Sequence, residues 1–171
     1  MQISPMTDAD RAERKKIMGY AVRLKDEGIC PTCQNFETND VYPSIESQVF
    51  HQDDQIICFL ETYPRNLGHT IILVKSHYED ISEMHLALGY QVFQVIDRSI
   101  ATIKSFLGAE KVYVCTMCDG KRNHLHFQLI PRYEEDTVRG SKLFVKERHK
   151  LEDCADTITL LRIKITELNH H

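Results

Sequence analysis

The sequence predicts an α+β fold, an antiparallel sheet of about five strands with a long helix, plus N- and C-terminal helices. Short apolar runs with period-two alternation recur between turn residues, which reads as strands in a meander. Between them lies one long segment with apolar residues every three to four positions, and helical patterns stand near both ends. At 171 residues, 42% of them apolar, the chain has the size of a single domain that closes its core without disulfides.

The elements follow in order. Thr7, with Asp10 three residues on, opens a first helix; Ile17, Ala21 and Leu24 recur at helical spacing, Gly28 stops it, and Cys30 is delivered into a polar loop. Strands are expected from Gln48 to Gln52 and from Ile56 to Thr62, turned at Asp53-Asp54, with a third from Ile71 to Lys75 after the turn Pro64 to Gly68. The long helix runs from Leu86 to Leu107 and ends at Gly108, with its apolar stripe through Leu86, Tyr90, Phe93, Ile96, Ile100, Ile103 and Leu107. Strand signals resume from Val112 to Met117, turn through Asp119-Gly120-Lys121-Arg122, and continue from His124 to Pro131. A last amphipathic segment sets Cys154, Ile158, Leu161, Ile165 and Leu168 on one face, to be buried against the body or a second subunit. The layout is one domain over 1–171, with its core at 48–132, an N-terminal helix and metal loop at 7–44, and a C-terminal helix at 152–168.

Composition narrows the chemistry. With 21 basic and 25 acidic residues, net −4, the surface as a whole does not attract a polyanion, so nucleic acid is not an expected partner and any phosphate must be held locally. The longest apolar runs, such as Ile71 to Val74, are too short to span a bilayer, and no export signal is read at the N-terminus. A soluble, cytoplasmic protein is the expectation. Among the six cysteines, Cys30/Cys33 and Cys115/Cys118 have Cys-x-x-Cys spacing, which in that setting favours metal or thiol chemistry over disulfides. The closing Asn169-His170-His171 is left out of the functional reading.

The chemistry concentrates in His124-Leu125-His126-Phe127-Gln128-Leu129-Ile130. Strand alternation turns His124, His126 and Gln128 to one side and Leu125, Phe127 and Leu129 to the other. Such a row either faces a pocket or is the solvated side of a half-buried hairpin, and the local pattern does not choose. The motif resembles the histidine-triad (HIT) signature, His-φ-His-φ-His-φ-φ, in the variant with glutamine third. An upstream block, Phe59-Leu60-Glu61-Thr62-Tyr63-Pro64 and then Gly68-His69 through Ser76-His77, is similar to that family's strand, Pro-containing turn, Gly-His and terminal histidine. The two blocks and the intervening helix span roughly residues 48 to 132.

The resemblance implies that His126 is the nucleophile, forming a nucleotidyl-histidine that a second step cleaves. Gln128 donates an amide hydrogen to a phosphoryl oxygen but has no proton to give near neutrality, so the leaving group must need little protonation. The glutamine variant resembles the branch that includes galactose-1-phosphate uridylyltransferase and diadenosine-polyphosphate phosphorylases. The expected substrate is a nucleoside phosphate, a dinucleoside polyphosphate or similar, the leaving group a pyrophosphate-type or sugar-phosphate group, and the acceptor water or another phosphate, with a diadenosine-polyphosphate phosphorylase or nucleotide-sugar transferase as the alternative. A zinc-stabilised nucleotide-binding module without turnover is the alternative of another class. Glu61 stands where the family often has an acidic residue facing the ribose hydroxyls, and Lys121 and Arg122, just before the histidine strand, are candidates to hold phosphate oxygens or to form a basic tip in water. The family also suggests a homodimer.

Zinc-containing members complete a Cys-x-x-Cys pair with the histidine closing the Gly-His block and the first histidine of the triad. Here those are Cys30, Cys33, His77 and His124, four protein ligands that make a closed, structural zinc site tying the N-terminal loop to the back of the catalytic strand. An all-cysteine site using Cys115 and Cys118 with the first pair is the competitor, although residues three apart on a regular strand face opposite sides. Cys58 and Cys154 read as buried apolar thiols, and His69 is given no role.

Overall fold

A computed structural model describes residues 1–117, 120 and 122–167. Strand β1 (Gln2–Pro5) leads into helix α1 (Asp8–Asp26), then α2 (Pro31–Thr38), β2 (Val49–Gln52), β3 (Ile56–Leu60), β4 (Thr70–Val74), α3 (Leu86–Leu107), β5 (Lys111–Cys115), β6 (His126–Arg132), β7 (His149–Asp153) and α4 (Ala155–Glu167). The central sheet is antiparallel with order β2-β3-β4-β6-β5, and β1 pairs with β7 in a separate two-stranded sheet. Lys121, Cys118, Asp119 and Leu168 lie outside the described residues.

The α1 start is the capping box that Thr7 and Asp10 predict. The Thr7 hydroxyl accepts from the Asp10 N–H at 3.2 Å, and the Asp10 carboxylate accepts the Thr7 N–H at 2.8 Å. Gly28, at φ 80°, turns the chain out after the helix. The segment beyond is not the polar loop expected from sequence. Cys30 is the N-cap of α2, Pro31 takes the first helical position, and Cys33 lies in the first turn. The helix is eight residues long, and polar Gln34, Asn35, Glu37 and Thr38 hide it from an apolar-periodicity reading.

The central sheet is covered on both faces. Ile56, Cys58, Leu60, Ile72, Val74, Leu125, Phe127 and Leu129 pack with α3 and α4 in the main core. The opposite face carries Ile57, Phe59, Ile71, Leu73, His126 and Gln128, roofed by α1 and α2. Burial on the α3 side runs through Leu88, Val92, Val95, Ile96, Ser99, Thr102 and Ile103, not along the line predicted at its N-terminal half. Leu86, Tyr90 and Phe93 are 92%, 68% and 57% exposed, because two apolar lines run along this helix and periodicity does not say which meets the sheet. The C-terminal face is settled within the chain. Ile158, Leu161 and Ile165 join the main core, Arg162 Nη2 donates to the Val49 carbonyl at 2.7 Å, and α4 thereby covers the β2 edge.

Gly68 shows how tightly the turn before β4 is fitted. At φ 77°, a Cβ there would stand 2.7 Å from Leu107 Cδ1 and 3.3 Å from Pro131 Cγ, so only glycine lets the C-terminal end of α3 close over the strand that carries the histidines. Strand β7 is anchored beside the β3–β4 turn by the His149 N–H to Pro64 carbonyl bond (2.8 Å) and the Leu151 N–H to Thr62 carbonyl bond (3.0 Å). No helix among the described residues is long and apolar enough to cross a membrane.

Candidate active site

Register places the site. Leu73 pairs with His126 and Ile71 with Gln128 across β4 and β6, while Ile57 pairs with Leu73 and Phe59 with Ile71 across β3 and β4. Two rows, Ile57-Leu73-His126 and Phe59-Ile71-Gln128, therefore floor one cavity of about 330 Å³. Arg14, Ile17 and Met18 of α1, Thr32, Asn35 and Phe36 of α2, the 42–45 segment, Glu61 to Tyr63, and Arg148 complete its walls. Size and lining, mostly apolar with a few convergent polar groups, are those of a small-ligand site. Asn35 shapes the wall by accepting the Val41 and Tyr42 N–H groups at 3.1 and 2.9 Å.

The hydrogen bonds decide the tautomers of His69, His126 and His124. The Arg65 backbone N–H can only donate, so His69 Nδ1 accepts it (3.2 Å) and His69 Nε2–H donates to Gln128 Oε1 (3.2 Å). The Gln128 amide nitrogen is thereby turned to His126 Nε2 at 3.3 Å. A carbonyl can only accept, so His126 Nδ1–H donates to the His124 oxygen (2.9 Å), and Nε2 is the unprotonated nitrogen whose lone pair accepts the Gln128 N–H. Burial, with the Arg148 charge second, pushes His69 down to about 3, so it stays the neutral donor that Gln128 requires. His69, given no role from sequence, is the positioning residue of the site. Its signal was the buried Gly-His turn, and nothing local pairs it with a residue 59 positions away.

His124 immediately precedes β6 and packs edge-on against Phe36 of α2, their ring centroids 6.0 Å apart, which sets the cysteine cluster at the start of the strand. Its Nε2–H donates to the Val74 carbonyl at 2.6 Å, which directs the Nδ1 lone pair at Cys30 Sγ (3.4 Å) and Cys33 Sγ (3.5 Å). His77 Nδ1 lies 3.3 Å from Cys33 Sγ, and the four ligand atoms all fall within 4.8 Å of one another. A tetrahedral ion about 2.3 Å from sulfur and about 2.0 Å from nitrogen sets neighbouring ligand atoms about 3.5 Å apart, so the donor set and its spacing fit a Cys2His2 metal site. Cys115 does not join it. Its Sγ faces the Gln128 carbonyl across the sheet at 3.9 Å, and Cys118 lies outside the described residues.

Of the other expected residues, Glu61 lines the cavity, with Oε1 accepting the Tyr63 N–H at 3.1 Å and Oε2 3.9 Å from Arg148 Nη1. Arg122 is exposed at φ 54° and does not line the cavity; Lys121 lies outside the described residues. Arg14 and Arg148 were missed from sequence because they come from α1 and from the residue before β7, far along the chain from either motif.

The family model described as HIT domain matches residues 43–135, more than half of the chain. The protein belongs to the HIT family. It is 31% identical over 96 residues to an uncharacterized HIT-like protein of Methanocaldococcus jannaschii, covering 54% of this chain and 74% of the relative. Its fold is similar to that of a zinc-bound histidine triad family protein from Mycobacterium smegmatis, with TM-score 0.59, 18% identity, and 82% and 96% of the two chains covered. A hypothetical histidine triad nucleotide-binding protein from Sulfolobus tokodaii strain7 superposes with TM-score 0.60 at 22% identity, covering 82% of this chain and 94% of that one. This HIT protein thus places the second and third positions of its triad on the cavity floor and the first in the metal-type cluster.

The buried neutral His69 carries a pH signature. In the unfolded chain it takes up a proton near its ordinary 6.5, and in the folded one only near 3, so stability is complete above pH 6.5 and falls as pH drops through that window. Replacing His69 by Gln, which can both accept and donate, should flatten the loss measured by urea unfolding between about pH 7 and about pH 4.5. An unchanged slope would remove His69 as the source.

Proposed function

We propose that this HIT protein hydrolyses or transfers the nucleotidyl group of a nucleoside phosphate, a dinucleoside polyphosphate or similar, through a covalent adduct on His126. One observation carries the reading: His126 lines the cavity with Nε2 unprotonated, its other nitrogen tied to a carbonyl and its lone pair capped by the Gln128 amide. In the first step the Nε2 pair attacks the α-phosphorus, the bond to the leaving oxygen breaks, and that oxygen departs with the electron pair. The Gln128 N–H that caps Nε2 turns to a phosphoryl oxygen and offsets its growing charge, an effect worth about a hundredfold or more in rate for one such donor. In the second step the acceptor oxygen attacks phosphorus, the P–N bond breaks, and the acceptor's proton passes to solvent while neutral His126 is restored. Water makes the protein a hydrolase and inorganic phosphate a phosphorylase.

Neither Gln128 nor neutral His69 supplies a proton to the leaving group, so a phosphoanhydride should react and a phosphoramidate, which expels an amine, should react poorly. Glu61 beside the cavity supports recognition of a ribose diol. Incubation with a labelled diadenosine polyphosphate should trap a nucleotidyl adduct by intact mass that disappears in His126→Ala. Tight binding of the nucleotide with neither adduct nor product, whatever the acceptor, would leave only a binding module.

Zinc is the ion that best suits two thiolates and two imidazoles, and we assign it a structural role at Cys30, Cys33, His77 and His124. These four residues would hold the ion, which would neutralise the thiolates and tie α2 to the strand, while His124 supplies the carbonyl that orients His126. Cys30→Ser should lower the metal content by about one zinc per chain, measured by mass spectrometry of metals. Full retention would discard the ligand set. We also propose a homodimer through the exposed line Leu86, Tyr90 and Phe93 on α3 and the open edge of β5, where Val114 is 42% exposed. Tyr90→Glu should convert a dimer to a monomer in sedimentation velocity, and a monomeric wild type would end that proposal.

A further inference from the structure

We infer that Arg14 and Arg148, with Arg65 as a further positive charge behind them, form a second anion site at the rim of the cavity, so that the substrate carries a phosphoryl group besides the one His126 attacks. The inference rests on the reading of the cavity as a nucleotide site and narrows its substrate class to nucleotides with at least two separate phosphoryl groups.

Three elements far apart in sequence supply these arginines, two of which share cavity walls while Arg65 lines neither cavity. Arg14 comes from α1, Arg65 from the turn before β4, and Arg148 from the residue preceding β7. Arg14 and Arg148 line the catalytic cavity and also an adjoining one of about 220 Å³, so they stand where the two meet and a group reaching out of the first would pass between them. In that second cavity Arg11 is already engaged, by the Met6 carbonyl at 2.7 Å and by Asp8 at 2.9 Å. Arg14 is not, for its side chain makes no hydrogen bond or ion pair among the described residues.

The other two are held in place by carbonyls, which orient a guanidinium without neutralising it. Arg148 Nη1 donates to the Tyr63 oxygen at 2.6 Å, and Arg65 Nη1 donates to the Lys146 oxygen at 2.8 Å, while Arg65 Nε is buried with no partner. Glu61 is the one carboxylate among the described residues whose charge bears on both, and it is shared with the Tyr63 N–H. Burial, eased by Glu61 and worsened by Arg65 and Arg14, pushes Arg148 down to about 10; burial and Arg14 lower Arg65 likewise. The adjoining cavity also carries Glu147, which is 83% exposed and stands 3.8 Å from Arg11, so Arg14 and Arg148 keep positive charge that an incoming dianion relieves. Planar guanidinium forks match phosphoryl oxygens in pairs.

The probes are AMP, ADP and adenosine 3′,5′-bisphosphate, titrated calorimetrically into the full-length protein at fixed ionic strength. Either bisphosphorylated ligand should bind about tenfold or more tightly than AMP, and which one does so locates the second group on the phosphate chain or on the ribose. Arg14→Gln, which breaks no bond of the fold, should reduce that ratio to within about twofold, and Arg148→Gln should do the same where its thermal unfolding shows it folded. Equal affinity for all three ligands, or a ratio that survives Arg14→Gln, overturns the second site while AMP binding keeps the nucleotide reading. No binding of any of the three overturns both.

Discussion

A strand whose alternate side chains face opposite sides cannot slip by one residue without exchanging its core for its chemistry, and this constraint governs the molecule. Strand β6 is held against β4 with Leu73 opposite His126 and Ile71 opposite Gln128. That register sends Leu125, Phe127 and Leu129 into the core beneath α3, each buried to within a few per cent of its surface, and leaves His126 and Gln128 on the cavity floor. The burial of the three apolar residues is what resists the slip, so the stability of one face sets the geometry of the other.

Along that floor the donors and acceptors form a single directed chain from the Arg65 N–H through His69, Gln128 and His126 to the His124 carbonyl. Both ends are backbone groups with one possible role each, so direction is imposed without any residue having to titrate. His124 closes the chain and also opens the metal-type cluster, its Nε2–H on Val74 and its Nδ1 on the sulfurs. Whatever holds His124 within that cluster therefore also holds the carbonyl that sets the tautomer of His126.

The cavity itself owes much to the parts of the chain outside residues 43–135. Helices α1 and α2 roof it, and the β7 strand, hydrogen-bonded to the Thr62 and Pro64 carbonyls, brings in Arg148. The HIT core thus contributes a floor with His126 and Gln128, while the flanking elements contribute shape and positive charge. Selectivity in such a division resides in the flanks, because the floor is common to the chemistry and the walls meet the rest of the ligand.

The sequence by itself determined the elements whose physics is local. The capping pair Thr7 and Asp10, the strands around Asp53, the long helix ending at Gly108, the alternation through His124 to Gln128, and the HIT resemblance were all legible, and so was the ligand set that the structure gathers at Cys30, Cys33, His77 and His124. What stayed hidden is what long-range packing decides. The eight-residue α2 is too short and polar to show a period, and β1 and β7 exist only because they pair with each other, Ser4 donating to Glu152 at a sequence separation of 148. Two apolar lines on α3 were indistinguishable until the sheet covered one, and the α4 face found its partner in β2 and α3. His69, Arg14 and Arg148 reached the site by folding alone, because a period of two or of 3.6 records which side of its own element a residue faces, whereas the identity of the group it meets there depends on how the elements stack.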